Sequence, residues 1–132
     1  MKDDIGKLLI RIACGGLLLF HGSYKVFHEM ESTVGMVEKA GLPGFLAYGS
    51  IVGEFIAPIF LILGFYSRIA ALIIAFNMLM SILVAHRDIA FKVNDYWGWM
   101  IELNVFFLVA ALAVFFLGAG RLSISKGKGR WD

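Results

Sequence analysis

Seven side chains that could do chemistry interrupt long apolar runs: His21, Lys25, Glu54, Asn77, His86, Glu102 and Asn104. Glu54 stands near the middle of the run 45–65, which is otherwise apolar. A carboxylate at the centre of a membrane helix costs about 2.5 to 3.5 kcal/mol on insertion scales, whereas a Leu or Ile returns only about 0.3 to 0.6. A carboxylate left unpaired there takes up a proton rather than bear the desolvation cost. Such a residue calls for a partner, a proton or a task. Carboxylates and imidazoles can carry protons, and Lys and Asn can hydrogen-bond ligand oxygens. Together they suit an apolar slot for a quinone-type or other small aromatic ligand. Two further constellations compete with it. His21 and His86 on different helices could ligate a haem, although their depths differ by about a turn. Two glutamates and two histidines could hold metal, but the Glu-x-x-His spacing of di-iron bundles is absent, so no metal site is expected.

The elements that must position these groups follow from composition. Of 132 residues, 60% are hydrophobic and 17% charged, and the mean hydropathy is +0.82. A water-soluble domain of this size cannot cover so much apolar surface. Four stretches, 8–26, 45–65, 69–85 and 97–117, approach the roughly 20 residues that cross a hydrocarbon core about 30 Å thick. The expected fold is an all-α integral membrane protein. It is a single domain, 1–132, forming an antiparallel bundle of four transmembrane helices at about 6–27, 45–65, 68–86 and 97–118, followed by a mobile tail, 119–132. The first helix is expected to be retained, because polar, bulky His21–Lys25 offers no small-residue cleavage site.

The opening stretch places Arg11, Gly15, Leu18, Gly22 and Lys25 on one face at alternating steps of four and three. Small residues between two cations mark a packing face. Phe27, Met30, Val34 and Val37 share helical spacing, which predicts a short interfacial helix before Gly41-Leu42-Pro43-Gly44 breaks the chain. In the second long helix Gly49 and Gly53 form a small-residue pair, and Pro58 frees the carbonyl of Glu54. The five-residue turn Gly64–Arg68 makes the second and third long helices antiparallel neighbours. Tyr96, Trp97 and Trp99 form an aromatic girdle at the start of the fourth.

Counting rise along each helix puts Lys25 and His86 at one membrane boundary, His21 and Glu102 about a turn below it, and Glu54 and Asn77 near the midplane. The opposite half is apolar apart from Arg11, so the expectation is a polar cavity open at one side. Eight basic residues (Lys2, Lys7, Arg11, Arg68, Arg121, Lys126, Lys128, Arg130) stand against four (Lys25, Lys39, Arg87, Lys92), which predicts cytoplasmic termini and an outward-facing cavity. Plainer explanations stand beside this one. Asn77 could clip two helices together, Lys25 could snorkel, His21 and His86 could be interfacial, and Lys25 with Glu102 could form a structural salt bridge. The single cysteine, Cys14, excludes dithiol chemistry within the chain. A formal charge of +2 gives no reason to expect nucleic acid.

Arg11-Ile12, Phe20-His21-Gly22-Ser23-Tyr24-Lys25, Gly41-Leu42-Pro43, the Glu54 helix and Leu63-Gly64-Phe65-Tyr66-Ser67-Arg68-Ile69-Ala70-Ala71 follow one another in a specific order. With Asn77-Met78, His86, Glu102 and Gly118-Ala119-Gly120-Arg121-Leu122-Ser123, the chain resembles the DoxX family of small bacterial membrane proteins over nearly its whole length. The resemblance implies a four-helix bundle in the bacterial inner membrane. It also implies kinship with the small subunit of a thiosulfate:quinone oxidoreductase and with proteins associated with quinone or thiol stress. One departure is Pro58-Ile59, where Gly-rich sequence is expected after the glutamate.

The leading expectation is therefore a subunit of a quinone-linked membrane oxidoreductase. Glu54, Glu102 and His21 are its candidate catalytic residues, and Lys25, Asn77 and His86 its candidate ligand-binding residues. No intrinsic cofactor is expected beyond a bound quinone. Since no flavin, nucleotide or iron–sulfur motif is present, a partner redox protein or a homo-oligomer within the lipid bilayer is expected. The alternatives are a non-enzymatic assembly or scaffold protein and a small-solute or proton carrier.

Overall fold

Apolar residues at helical spacing, interrupted by Gly41-Leu42-Pro43-Gly44 and by Gly64, dictate a chain of helices. The computed structural model describes residues 2–85, 92, 93, 95, 98, 101–126, 128, 129, 131 and 132. The long regular elements among these residues are all helices. Helix α1 is Lys2–His28, and α2 is Met30–Lys39. Helix α3, Gly44–Leu63, is composite, opening in a 3-10 turn and widening to a π-helical turn at Val52–Ile56. Helix α4 is Ser67–Ala85, and α5 is Glu102–Leu117. Helices α1, α3 and α4 are long and apolar enough to cross a membrane. Helix α5 is apolar but has 16 residues, about 24 Å at 1.5 Å per residue. It begins five residues later than expected. His86 and the girdle residues Tyr96, Trp97 and Trp99 lie outside the described residues.

Packing runs from α1 to α3, α3 to α4, α4 to α5, and α5 back to α1. The core where they meet contains Leu18, Ala57, Leu61, Ala71, Ile74 and Val114. The expected packing face of α1 is buried along Arg11, Gly15, Leu18 and Gly22. Small residues there let backbones approach, which is where helix association in lipid finds its dispersion energy. Helix α3 ends because Gly64 adopts φ 74°, a left-handed conformation that caps helices cheaply only as Gly. Helix α2 buries Val37 and leaves Glu31 and Glu38 exposed.

The tail differs from its expectation. It folds back over the end of the bundle that carries both termini. Ile124 N–H donates to the Leu63 carbonyl at 3.0 Å, Arg68 N–H to the Trp131 carbonyl at 2.8 Å, and Ala119 N–H to the Asp132 carbonyl. Arg11, only 1% exposed, donates from Nη2 to the Leu122 carbonyl at 2.6 Å. The physical reason is that the carbonyls ending α3 need donors that α3 cannot supply. The tail's backbone supplies them.

Candidate functional site

Pro58 has no N–H, so the Glu54 carbonyl loses its usual helical donor. Just before it the helix widens, and Ala57 N–H reaches back five residues to the Val52 carbonyl. Single π turns of this kind re-aim side chains, and they recur at functional sites. The Glu54 carbonyl lies against Gly22 of α1. A Cβ added at Gly22 would collide with that oxygen and lie 2.9 Å from the Glu54 Cβ. Only glycine permits this crossing.

The crossing sets the charge geometry. Lys25 lies three residues beyond Gly22, and helical side chains lean toward the helix N-terminus. Its chain therefore runs back to the level of Gly22, and Nζ meets Glu54 Oε2 at 2.6 Å. Glu54 is 2% exposed, and the Lys25 side chain 20%. The salt bridge that the sequence suggested, Lys25 with Glu102, is thus replaced by Lys25 with Glu54. Counting rise along separate ideal helices set Glu54 two turns below Lys25. The 3-10 start, the π turn and the backward lean of Lys25 close that gap.

A cavity of about 520 Å³ opens beside the pair, in the half of the bundle away from the termini. Its walls include Leu18, Val37, Ile73, Phe76 and Phe107. Its polar lining includes Lys25, Glu54, Asn77, Ser81, Asn104 and His21, while α2 borders it through Ser32 to Val37. Asn77 approaches α3 over Gly53, where a Cβ would come within 2.6 Å of the Asn77 Cγ. The Asn77 Nδ2 is buried without a hydrogen-bond partner among the described residues. Gly49, the other half of the expected small-residue pair, has open space around it.

Of the six expected site residues, the cavity gathers Lys25, Glu54, Asn77 and His21, the last on an otherwise exposed side chain. Glu102 is a correction. It is exposed in the first turn of α5 and does not line the cavity. Asn104 does, with Phe107 one turn on. Two residues at 100° each turn Glu102 almost to the opposite side of the helix from Asn104. His86 lies outside the described residues. Asn104 stands among the polar interruptions of the sequence without an assigned role, and Ser81 of α4 joins it in the cavity. In the structure Asn104 Nδ2 donates to Ser81 Oγ at 3.3 Å, bridging α5 and α4 across the cavity wall. The available signal was the spacing of Asn77 and Ser81, one turn apart, opposite a polar residue in the α5 run. The expected result for Glu102→Gln is a thermal unfolding profile in detergent within about 0.5 kcal/mol of the parent, as for other surface changes. A larger loss would return Glu102 to the polar cluster.

Among curated proteins, the chain is similar to "Putative oxidoreductase CatD" of Bacillus subtilis (strain 168). The two are 29% identical over 101 residues, covering 76% of this chain and 75% of that protein. No solved structure matches the chain. The DoxX family profile matches residues 6–87, a segment that holds Arg11, the Gly22 crossing, the Lys25–Glu54 pair and Asn77. A match over well more than half of the chain decides the family: this protein belongs to the DoxX family, whose members are membrane proteins.

Proposed function

We propose that this protein is an inner-membrane oxidoreductase subunit that holds a quinone-type or similar small aromatic electron carrier in the cavity, with the cavity facing outward. The observation that carries the proposal is an apolar cavity of about 520 Å³ with an ion pair and an unsatisfied amide donor in its wall. Ligand pockets of about 300 to 1,000 Å³ with a few convergent polar groups are the usual form of small-molecule sites. The fit is chemical as well as spatial. The buried Asn77 Nδ2 lacks an acceptor, and a ring carbonyl would provide one.

A quinone, when bound, accepts and returns electrons together with protons. Lys25 Nζ offers positive charge to a ring oxygen, and Glu54 Oε2 carries a proton to or from that position. Asn77 Nδ2 would hold the ring by donating to one of its oxygens, while Asn104 and Ser81 tie α5 to α4 in the cavity wall. Phe76 and Phe107 supply apolar wall for the ring. A partner redox protein completes the electron path, because no nucleotide, flavin or iron–sulfur motif occurs in the sequence. The name carried by the Bacillus relative is consistent with oxidoreductase chemistry.

The test is binding of a short-chain quinone to purified protein, followed by tryptophan fluorescence or calorimetry. Asn77→Leu is expected to weaken binding by roughly 5- to 100-fold, the loss of one buried hydrogen bond plus steric filling, with unfolding little changed. If the parent binds no quinone, alone or with copurified partners, the proposal fails. A second function is favoured by one observation, the closure of Lys25 directly on Glu54. In it the pair only locks α1 to α3, and the protein serves as an assembly scaffold.

A further inference from the structure

A further cavity among the described residues lies at the other end, where the tail folds back. It measures about 350 Å³ and is lined by Lys7 of α1, Arg68 of α4, and Arg121 and Lys126 of the tail. Two carboxylates share it, Asp4 and Asp132. Four cationic side chains thus face two carboxylate side chains, an excess of two positive side-chain charges, with Lys7 and Arg121 in electrostatic reach of Asp4. Both carboxylates already accept backbone donors: Asp4 Oδ1 from Arg121 N–H at 3.1 Å, and Asp132 Oδ1 from Tyr66 N–H at 2.7 Å. Arg68 Nε is buried with no hydrogen-bond partner among the described residues. Its guanidinium lies over Gly118, where an added Cβ would come within 3.0 Å of Nη2.

Depth sets what such a pocket meets. Helices α1 and α4 begin at this end, and α3 and α5 finish at it, so the apolar spans stop at the level of the cavity. Just beyond the hydrocarbon edge lies the headgroup layer, whose anionic phosphates attract clustered Lys and Arg. Arginine forks suit phosphate oxygens in particular.

We propose that this pocket is a binding site for one phosphate group carried by an anionic lipid headgroup, held by Lys7, Arg68, Arg121 and Lys126. The folded tail builds half of it. Binding therefore fastens the tail to the helix ends, and it is independent of the quinone cavity at the opposite end.

The experiment is native mass spectrometry of the full chain in detergent, titrated with phosphatidylglycerol, phosphatidylcholine or inorganic phosphate. One saturable phosphatidylglycerol per chain is expected, with phosphatidylcholine at least about tenfold weaker. Each cation near an anionic surface is worth roughly fivefold, so Arg68→Gln with Lys126→Gln should weaken phosphatidylglycerol binding by ~25-fold. Lys126 is exposed, so its single variant, with about fivefold loss, keeps the test valid should Arg68→Gln not fold. Lys128→Gln is the control, since Lys128 is an exposed tail cation outside the pocket and should change binding less than Lys126→Gln. If inorganic phosphate alone binds with the same variant sensitivity, the pocket holds a soluble phosphate group and the lipid source is wrong. Equal binding of the two lipids, or equal losses from Lys126→Gln and Lys128→Gln, would mean a diffuse basic surface and overturn the site.

Discussion

Lys25→Met is expected to be the most damaging single charge change in the molecule, and more damaging than Glu54→Gln. Removing Lys25 strands a carboxylate that is 2% exposed, which costs about 3 to 5 kcal/mol when a buried pair loses one member. Removing the Glu54 charge strands a lysine that is 20% exposed on a flexible stem. That ammonium can turn toward the cavity mouth, so the loss is nearer 1 to 3 kcal/mol, roughly the cost of one unsatisfied buried group. The double variant should recover most of the loss, because an apolar–amide pair carries no uncompensated charge. Thermal unfolding in detergent measures all three. If Glu54→Gln proves the worse of the two, the pair is not seated as described.

The same double variant separates the two functions. A pair that only locks α1 to α3 should regain stability and complex formation together once both charges are gone. A pair that handles a proton and a ring oxygen should regain stability while quinone binding and any turnover stay lost. Recovery of both would remove the chemical role of Lys25 and Glu54.

Gly22→Ala is expected to cost about 3 kcal/mol, toward the upper end for overpacking, because the added methyl meets backbone rather than a side chain that can turn aside. Helix α1 must then move off α3, and Lys25 is carried away from Glu54 with it. Gly16→Ala is the matched control. Its Cβ would find nothing within 4 Å, so the change should be neutral or slightly favourable through helix propensity. Unfolding of the two variants side by side checks the claim. Equal tolerance of both would mean that the α1–α3 crossing is not at Gly22.

Much of the architecture was readable from residue types alone. Three of the four apolar runs form helices long and apolar enough to cross a membrane, because a single segment in lipid can satisfy its backbone internally only as a helix. The face Arg11, Gly15, Leu18, Gly22 and Lys25 was legible because helical periodicity converts spacing directly into direction. The concentration of polar residues toward one end of the helices was visible for the same reason, and it is the end where the structure opens its larger cavity. The lone glutamate of the second run announced a partner by its cost.

Which partner it took was not legible. Helical spacing gives angles around each axis but says little of the depth at which two helices meet. That depth is set by the Gly22 crossing, by a π turn upstream of Pro58, and by a lysine that leans backward along its helix. Small changes in rise there moved the pairing from Glu102 to Glu54. The exclusion of Glu102 had a local cause as well, since rotation of α5 was decided by packing Phe107 and Ala111 inward, which carries Asn104 to the cavity and turns Glu102 out. The tail was illegible for a third reason. Its Gly- and Lys-rich composition has no periodicity, and its place depends on backbone donors and carbonyls at the helix ends. By itself the sequence determined the apolar solvent, the long helices and the contact face of α1, because those follow from local transfer energies and a fixed helical pitch. Only the tertiary structure decided that Glu54 meets Lys25 and that the tail closes a basic pocket, because both depend on where separate helices cross.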